Sequence, residues 1–541
     1  MKKSLLIHPE KEHIHRDVEK GKQAVDNTSN SVMIGFRSSV VIGFRSLILF
    51  IMIRLVVPII VVIDFNWYEW NLGSIKSFKP SLLCVQGSKL FFLWAAVALA
   101  LVTTAKSAWF SDPSYGGRLH QWTDVRLTAL TRRHVAKLTD FGGVGDGVTY
   151  NTAAFAAAVA NLSKVATDGG AMLVVPAGRW LTGPFNLTSH FTLFLESDAV
   201  ILASQNLEDF PIIAPLPSYG RGRDLPGGRY ANVIMGYNLT DVAITGNNGT
   251  INGQGQVWWE KYRAKELQHT RGYLVEFMFS NGVLVSNITL MDSPSWNLHP
   301  VYCSDVVVSG ITITVSSLTS PNTDGINPDS STNVRILDSY VISGDDCIAI
   351  KSGWDQYGIA FNMPSKQIYI KNFTCISPTS ATIAIGSEMS GGVEDVHAED
   401  ITAINTESAV RIKTGIGRGG YVKQIFAKKM SLHNMKYIFW MTGAYGQHPD
   451  DNFDPNAIPV VENINYGDVT AKNVTMVGKL EGLEQSPFTG ICLSNVTAEI
   501  FVIEKKPIWN CTFVEGVSTG MSPGACAPLK DMGADASTCV P

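Results

Sequence analysis

Residues 321–353 read Pro-Asn-Thr-Asp-Gly-Ile-Asn-Pro-Asp-Ser-Ser-Thr-Asn-Val-Arg-Ile-Leu-Asp-Ser-Tyr-Val-Ile-Ser-Gly-Asp-Asp-Cys-Ile-Ala-Ile-Lys-Ser-Gly. Three acids stand out in this stretch: Asp324, and the adjacent pair Asp345 and Asp346. Apolar residues follow each group at alternate positions, which is the pattern of a strand. Asp324 and Asp345 lie 21 residues apart, about one coil of a parallel β-helix. We therefore expect the carboxylates to stack on one face of such a fold.

A short unit of the form x-Val-x-Ile-x-Asn/Gly-x-Thr recurs on both sides of this stretch. Copies of the unit start at Asp241, Gly282, Asp305, Asn333, Gln367, Asp395 and Gln424. From Gly282 onward the starts are separated by 23, 28, 34, 28 and 29 residues. Such a period, with short strands and no long helices between them, predicts a solenoid. Propeller blades have a longer and more regular period, and leucine-rich repeats have a Leu-x-x-Leu-x-Leu consensus that is absent here.

The fold predicted is therefore all-β, a single-stranded right-handed parallel β-helix with its core at about 125–520. Before it, residues 140–152 are glycine-rich but lack the Lys-Ser/Thr ending of a phosphate loop, so we interpret them as turns. The alanine-rich residues 153–166 predict a helix. Because repeat folds need a cap, we expect this helix to cover the N-terminal end of the solenoid.

Residues 1–108 differ from the rest in composition and form a predicted N-terminal extension, followed by one domain at 109–541. Residues 47–63 are almost wholly apolar but contain Arg54, and their length is marginal for a membrane span. Residues 90–102 are too short to span and have the form of a signal-peptide core, with cleavage near residue 105 or 108. We predict a secreted protein; the alternative is membrane contact or anchoring through these apolar segments.

Sequons and cysteines after residue 108 agree with secretion. Asn-x-Ser/Thr sequons begin at Asn161, Asn186, Asn238, Asn248, Asn287, Asn372, Asn473, Asn495 and Asn510. Four of the 8 cysteines crowd the C-terminal end, at Cys492, Cys511, Cys526 and Cys539. We expect disulfides to hold this tail, with one of the seven cysteines after residue 108 left unpaired. No Cys/His spacing suggests a zinc site.

The net charge of the predicted domain argues against a nucleic-acid partner. Residues 1–108 hold 13 Lys and Arg and 7 Asp and Glu, out of 43 and 47 in the chain. Residues 109–541 therefore hold 30 Lys and Arg and 40 Asp and Glu, which gives a net charge of −10. A domain this acidic is a poor nucleic-acid binder, and binding of any polyanion would need a local basic patch. We expect the protein to be a monomer.

Residues 410–415, Val-Arg-Ile-Lys-Thr-Gly, supply such a patch. Side chains alternate along a strand, so Arg411 and Lys413 share one face while Ile412 points into the core. A paired Arg and Lys above a carboxylate cluster is suited to hold a substrate carboxylate. Each motif alone is ordinary, since Asn-Thr-Asp-Gly is a good turn and Arg-Ile-Lys a common half-exposed strand. Their predicted alignment on one side of the solenoid is what indicates a site.

Closely spaced acids suit the hydrolysis of a glycosidic bond. Carboxylates a few ångströms apart repel when both are ionised, so one pKa rises and that group stays protonated as an acid. Hydrolysis of a glycosidic bond requires an acid and a base on opposite sides of it. A gap of roughly 6.5–9.5 Å between the two, enough to admit a water, predicts inversion at the anomeric carbon.

The motifs Asn-Thr-Asp, Gly-Asp-Asp-Cys, Ile-Gly-Ser and Arg-Ile-Lys, in this order and spacing, resemble the polygalacturonase family of glycoside hydrolases (family twenty-eight). The resemblance runs over most of 135–500, and residues 387–392, Ser-Glu-Met-Ser-Gly-Gly, resemble its plant and bacterial exo-acting branch. It implies a right-handed parallel β-helix that hydrolyses the α-1,4-galacturonan of pectin without a metal or other cofactor. The long polar segment 443–459 is expected to wall off one end of the cleft and favour attack on chain ends.

Carried over by position, the resemblance implies that Asp345 is the general acid, while Asp324 and Asp346 activate the water. Arg411 and Lys413 would bind the substrate carboxylate. Tyr445 lies about where the family has a tyrosine that contacts substrate.

One position departs from the family pattern, which usually has Gly-His-Gly before Ile-Gly-Ser. Here Ser380-Ala381-Thr382 aligns with it, so Ala381 replaces a histidine that tunes the acid, a loss on the order of 10²–10⁴ in rate. We expect His299 or Lys351 to reach the cleft instead. The departure keeps two alternatives open: a hydrolase of a modified pectin (rhamnogalacturonan or xylogalacturonan), and a catalytically impaired pectin-binding wall protein. A pectate lyase fits less well, because it needs a calcium-binding acidic cluster and an arginine base.

Overall fold

The computed structural model describes residues 128–501 and 507–533. The predicted extension at 1–108, with its apolar segments 47–63 and 90–102, lies outside the described residues, and its boundary stays a prediction. Across the part of the chain that is described, no helix combines the length and apolar character needed to cross a membrane.

Strands dominate the described part of the chain, with three α-helices and two short 3-10 helices (Leu138–Phe141 and Leu207–Asp209) between them. The helices are α1 (Thr152–Ser163), α2 (Gln256–Ala264) and α3 (Asp355–Phe361). The strands are β1 (His134–Lys137), β2 (Ala171–Val175), β3 (Gly178–Thr182), β4 (Phe185–Asn186), β5 (Phe191–Leu195), β6 (Ala199–Ala203), β7 (Ile212–Ile213), β8 (Arg229–Tyr230), β9 (Ile234–Tyr237), β10 (Thr240–Gly246), β11 (Thr250–Asn252), β12 (Val275–Met278), β13 (Asn281–Ser286), β14 (Thr289–Met291), β15 (Leu298–Val301), β16 (Ser304–Ser309), β17 (Thr312–Thr314), β18 (Thr332–Ile342), β19 (Ile348–Ile350), β20 (Ser365–Ile376), β21 (Ala381–Gly386), β22 (Val393–Lys413), β23 (Tyr421–Thr442), β24 (Val460–Glu481), β25 (Phe488–Ile500), β26 (Trp509–Thr512), β27 (Val514–Ser522) and β28 (Leu529–Asp531).

Parallel pairing between successive coils arranges these strands in three sheets along one axis, except for β7 and β8, which pair antiparallel with each other. The first sheet contains β1, β2, β5, β10, β13 and β16, then the first parts of β18, β20 and β22 to β24, and finally β25, β27 and β28. The second contains β3, β6, β11, β14 and β17, then the middle parts of the long strands. The third contains β4, β9, β12, β15, β19 and β21, then the last parts of β22 to β24 and β26. The predicted right-handed parallel β-helix is confirmed.

The strand register reproduces the repeat predicted from the sequence. The residues paired in successive coils of the first sheet are Asn281, Ser304, Thr332, Lys366, Glu394 and Lys423. Their intervals are the predicted 23, 28, 34, 28 and 29 residues. The second half of each repeat unit continues into the second sheet, so that one unit forms two of the three sides of a coil.

The corner between the first and second sheets explains the Asn, Asp and Gly of each repeat unit. One residue per coil has a positive φ there: Asn287, Gly310, Asp338, Asn372, Asp400, Lys429, Asp468, Asn495 and Gly520. Asn and Asp tolerate this left-handed conformation better than other side chains, and Gly adopts it without strain. Several predicted sequons, including Asn372, lie at this corner, so the turn already accounts for their asparagines. Glycosylation stays a prediction.

The core is a set of apolar ladders inside the coils. In the first sheet Ile244, Val285, Val308, Ile336 and Ile370 occupy equivalent positions, and all five are fully buried. Burying each such side chain contributes about 1.5–3 kcal/mol relative to leaving it exposed. Because every coil places its apolar residues over those of the next, the ladders are continuous along the axis.

Helix α1 forms close to the predicted 153–166 and packs against β2 and β4. Ala154, Phe155, Ala158 and Leu162 bury one face of it, and the Phe155 ring stacks on Phe185 at 4.3 Å. Its role as the cap of the solenoid stays a prediction.

Cysteine pairing differs in part from the expectation. Cys511 pairs with Cys526 in the tail, and Cys492 is also disulfide-bonded. The bond between Cys347 and Cys375 was not anticipated and links neighbouring coils next to Asp346. Among the described residues the unpaired thiol is that of Cys303, which is buried.

Candidate active site

The three acids predicted to stack lie where coils enter the third sheet. Ile326 bridges to Ile348, which pairs with Ile383, and Asp324, Asp346 and Ala381 stand two residues before these positions. The coils approach closely here, because a Cβ at residue 325 would lie 2.4 Å from the carbonyl oxygen of Cys347. The glycine of Asn-Thr-Asp-Gly is therefore required by the packing of one acid-bearing turn on the next.

These acids open onto a cleft that also contains cations and aromatic rings. Its lining residues are Arg223, Asp224, Thr270, Tyr273, Ser295, Trp296, Asn322, Asp324, Asp345, Asp346, Lys351, Ser387, Glu388, Lys413 and Tyr445. All three predicted acids are among them, together with three of the five predicted substrate-binding residues. No group of three or more His, Cys, Asp or Glu within 128–501 and 507–533 is arranged to hold a metal ion.

Asp346 is buried and held by three donors. Lys413 Nζ donates to its Oδ2 at 2.5 Å, while Ser380 Oγ and the backbone N–H of Ala381 donate to its Oδ1 at 2.5 and 3.1 Å. Burial alone would raise the pKa of Asp346, but Lys413, Arg411 and the hydrogen bonds lower it. This carboxylate therefore stays ionised at mildly acidic pH.

Asp324 and Asp345 behave differently, because burial and a neighbouring carboxylate raise the pKa of each. Burial and the charge of Asp345 raise the pKa of Asp324 to about 7, and burial and the charge of Asp346 raise the pKa of Asp345. Such a pair binds one shared proton over a wide pH range. Asn327 Nδ2 donates to Asp324 Oδ2 at 2.9 Å, and Lys351 Nζ lies 3.8 Å from the same oxygen. The charge of Lys351 opposes the rise in the pKa of Asp324 but does not cancel it.

Lys413 and Arg411 share a face of β22, as predicted, but differ in position. Lys413 lines the cleft, and the charge of Asp346 keeps the pKa of its ammonium raised despite burial. The guanidinium of Arg411 stacks 3.7 Å from the centre of the Trp440 ring and lies 3.7 Å from Glu407. Arg411 therefore lies beside the cleft and adds to the positive potential at Asp346 without lining it.

A buried ion network that sequence reasoning missed forms another wall of the cleft. Glu388 forms an ion pair with Arg223, whose Nε lies 2.6 Å from its Oε1, and accepts a hydrogen bond from Lys351 Nζ at 2.9 Å. Burial alone would raise the pKa of Glu388, but Arg223 and Lys351 lower it well below its usual value. Lys351 also lies 4.6 Å from the centre of the Trp296 ring, so its predicted place in the cleft agrees with the structure. The sequence signal for Arg223 was the charged, glycine-rich run at 219–224.

The predicted wall segment 443–459 holds Tyr445 at the cleft. The backbone N–H of Tyr445 donates to the carbonyl of Thr414 at 3.0 Å, which fixes the tyrosine next to the end of β22. Gln447 accepts from Arg223 through its side chain at 2.9 Å and from Trp354 through its carbonyl at 3.2 Å. The wall segment is thus tied to the part of the chain that carries Arg223.

The prediction that His299 reaches the cleft is wrong. The side chain is fully buried, its Nδ1 lies 2.9 Å from Glu276, and its Nε2 lies 3.3 Å from Asp329. Burial alone would lower the pKa of His299, but the hydrogen bonds to Asp329 and Glu276 raise it. Both ring nitrogens are committed to this buried pair of carboxylates, so the ring has no atom available for a substrate.

Comparisons with known proteins agree with the geometry. A family model described as "Glycosyl hydrolases family 28" matches residues 173–524. A probable polygalacturonase of Vitis vinifera is 60% identical over 402 residues, which cover 74% of this chain and 82% of that protein. An exopolygalacturonase of Zea mays is 27% identical over 402 residues, which cover 71% of this chain and 88% of that protein.

The fold comparison leads to the same group of proteins. The crystal structure of an exopolygalacturonase from Thermotoga maritima matches with a TM-score of 0.60 at 28% identity. The match covers 70% of this chain and 91% of that one. All residues that line the cleft lie inside the matched family region, 173–524.

Proposed function

This chain belongs to glycosyl hydrolase family 28, and we propose that it hydrolyses the α-1,4-galacturonosyl linkages of pectin from chain ends, with inversion. It is a glycoside hydrolase of the polygalacturonase family. The observation that carries the finer proposal is the split state of the acids. Despite burial, Lys413 and Arg411 lower the pKa of Asp346, while burial and the charge of Asp346 raise the pKa of the adjacent Asp345, and both acids lie in one cleft with Lys413, Lys351 and Arg223.

In the proposed reaction Asp345 donates its proton to the glycosidic oxygen as the bond from that oxygen to the anomeric carbon breaks. Asp346, assisted by Asp324, takes a proton from a water that attacks the anomeric carbon from the opposite face. One water is consumed, and the released sugar has the inverted configuration. The arrangement is consistent with this division, because the donor and the acceptor of the proton are adjacent residues with opposite pKa shifts.

A galacturonate unit carries a carboxylate, which the cations of the cleft are suited to bind. Lys413 faces the cleft, and Arg411 strengthens the positive potential behind it. The rings of Trp296 and Tyr273 line the cleft beside these cations and stack on each other at 4.6 Å. Tyr445 closes the side formed by segment 443–459, and we propose that this wall limits the enzyme to chain ends. A monomer acting on pectin outside the cell fits the sequons and the disulfides.

The test is release of reducing ends from polygalacturonic acid at mildly acidic pH by the full chain in secreted form. Asp345→Asn is compared with Asp338→Asn, a matched change at an exposed corner residue, with and without a chelator. We expect Asp345→Asn to lose more than about 10²-fold in kcat, the general-acid contribution, and Asp338→Asn to keep its activity. Galacturonic acid as the sole early product would support action on chain ends, and a chelator should have no effect.

Other outcomes would redirect the proposal. Folded protein that releases nothing from polygalacturonic acid but cleaves rhamnogalacturonan or xylogalacturonan is a hydrolase of a modified pectin. Protein that binds these polymers and cleaves none is the non-catalytic wall protein.

A further inference from the structure

A serine- and threonine-rich segment of the next coil holds the turn that carries the catalytic acids. Residues 377–380, Ser-Pro-Thr-Ser, are called the hydroxyl strap here. Ser377 Oγ donates to the carbonyl of Asp345 at 2.6 Å, and Thr379 Oγ1 donates to the carbonyl of Gly344 at 2.9 Å. Ser380 Oγ donates to the carboxylate of Asp346 at 2.5 Å. Three consecutive residues of the acid turn are thus each bound by a strap hydroxyl.

The strap is anchored at both ends. Cys375, two residues before it, is disulfide-bonded to Cys347, which follows Asp346 directly. At the other end Cys347 donates its backbone N–H to the carbonyl of Ala381 at 2.8 Å, and Ala381 donates its own N–H to Asp346. Ser380 is itself buried, so its hydroxyl has no competing water contact at the surface. Neither end of the strap can shift without moving the acid turn.

We propose that Ser380 is a positioning residue that, with the N–H of Ala381, holds the Asp346 carboxylate ionised and oriented toward the water in place of a titratable imidazole. This inference rests on the proposed role of Asp346 as a base. A hydroxyl and a backbone N–H donate at every pH, whereas an imidazole loses its charge near neutrality. His299 is committed to Glu276 and Asp329, so the pH dependence of this site comes from its carboxylates.

The charges that face Asp346 set the size of the expected effect. They come from its own turn, from the preceding coil and from β22: Asp345, Asp324, Lys413 and Arg411. Lys413 stays in place when the serine is changed, so the carboxylate keeps its main counter-ion. A hydrogen bond to a charged group corresponds to about a 10- to 100-fold change in an equilibrium. We expect Ser380→Ala to shift the acid limb of the pH–rate profile upward by about one to two units.

The experiment compares kcat and KM on polygalacturonic acid across pH for wild type, Ser380→Ala, Ser380→Thr and Ser408→Ala. Ser408 is the matched control, since it pairs with Ala381 in the next coil, is buried, and its Oγ makes no hydrogen bond among the described residues. Ser380→Ala should lower kcat by about 10- to 100-fold at the acid end of the profile and progressively less toward pH 6, with KM nearly unchanged. Ser380→Thr, which keeps the hydroxyl, should restore the profile, and Ser408→Ala should not move it.

A second measurement does not depend on activity. Asp346 has a lowered pKa in the folded protein, so its contribution to stability is present above the unfolded pKa and is lost as pH falls. The unfolding midpoint of Ser380→Ala should therefore fall below that of wild type at pH 6, and the gap should narrow toward pH 3. An active wild type whose profile is unchanged by Ser380→Ala would overturn the positioning role and leave the proposed function intact. If no pectic polymer is cleaved, the proposed function fails. If, in addition, the difference in unfolding midpoint between Ser380→Ala and wild type does not change with pH, the proposed effect of Ser380 on the ionisation of Asp346 is overturned as well.

Discussion

Replacement of Lys413 by Met tests whether this lysine keeps Asp346 ionised. The two charged atoms are 2.5 Å apart, and the side chains are only 8% and 1% exposed. Leaving a buried charge without its partner costs about 3–5 kcal/mol. Asp346 can avoid part of this cost by binding a proton, and each unit by which its pKa rises corresponds to about 1.4 kcal/mol. Arg411 and the two Oδ1 donors remain, so we expect the pKa of Asp346 to rise by about 2 units.

Lys413→Met should therefore move the acid limb of the kcat/KM profile upward by about 2 units. Because one pKa unit corresponds to a factor of ten and the wild-type pKa lies below 3.8, activity relative to wild type should fall progressively from pH 6 downward and approach a loss of roughly 100-fold only at the acid end of the profile. Loss of the contact to the substrate carboxylate adds a separate rise in KM at all pH values. Initial rates on polygalacturonic acid between pH 3 and 8 separate the two effects.

The control is Lys423→Met, which removes a lysine from the partly exposed pair with Glu394 on the outside of the solenoid. Surface pairs of this kind contribute about 0–1 kcal/mol, so this variant should keep both the profile and KM. If Lys413→Met raised KM but left the acid limb where it is in wild type, the lysine would bind substrate only. The account of how Asp346 stays ionised would then be refuted.

Two further predictions concern stability. The pKa of Asp324 is about 7 in the folded protein, against an ordinary value of 3.8. Between about pH 4 and pH 7 the folded state therefore binds this proton while the unfolded state releases it, so the free energy of unfolding falls as pH rises through this range. Asp324→Asn should therefore gain about 1–3 kcal/mol relative to wild type between pH 4 and pH 7 in urea unfolding, and a pH-independent difference would contradict the raised pKa. Glu388→Gln leaves Arg223 and Lys351 without their buried carboxylate and should lower the free energy of unfolding by about 3–5 kcal/mol; a change under about 1 kcal/mol would show that the network is not electrostatically important.

The repeat of the coils could be predicted from the sequence, because it depends on the local conformation of each strand and each corner. Alternation of apolar residues follows from the geometry of a strand, and the Asn, Asp or Gly at every corner but that of Lys429 follows from the backbone conformation there. The five intervals from Gly282 to Gln424 consequently matched the strand register without adjustment. The prediction that Asp324 and the Asp345–Asp346 pair lie on neighbouring coils followed from the same kind of reasoning, although the register places Asp346, and not Asp345, at the position equivalent to Asp324. The shared face of Arg411 and Lys413 followed from strand alternation.

What each acid contacts depends instead on side chains from distant parts of the chain. Arg223 pairs with Glu388, which lies 165 positions later in the sequence. Ser380 contacts Asp346 from the next coil, and nothing in the repeat pattern distinguishes this serine from an ordinary serine in a turn. The sequence around His299 has the same strand pattern as that around residues of the cleft, yet neighbouring elements bury the side chain of His299. Charge states follow burial and distances of a few ångströms, because Coulomb energies in a partly dry site change steeply over that range. The repeat places the carboxylates side by side, and the packed neighbours determine which of them holds the proton.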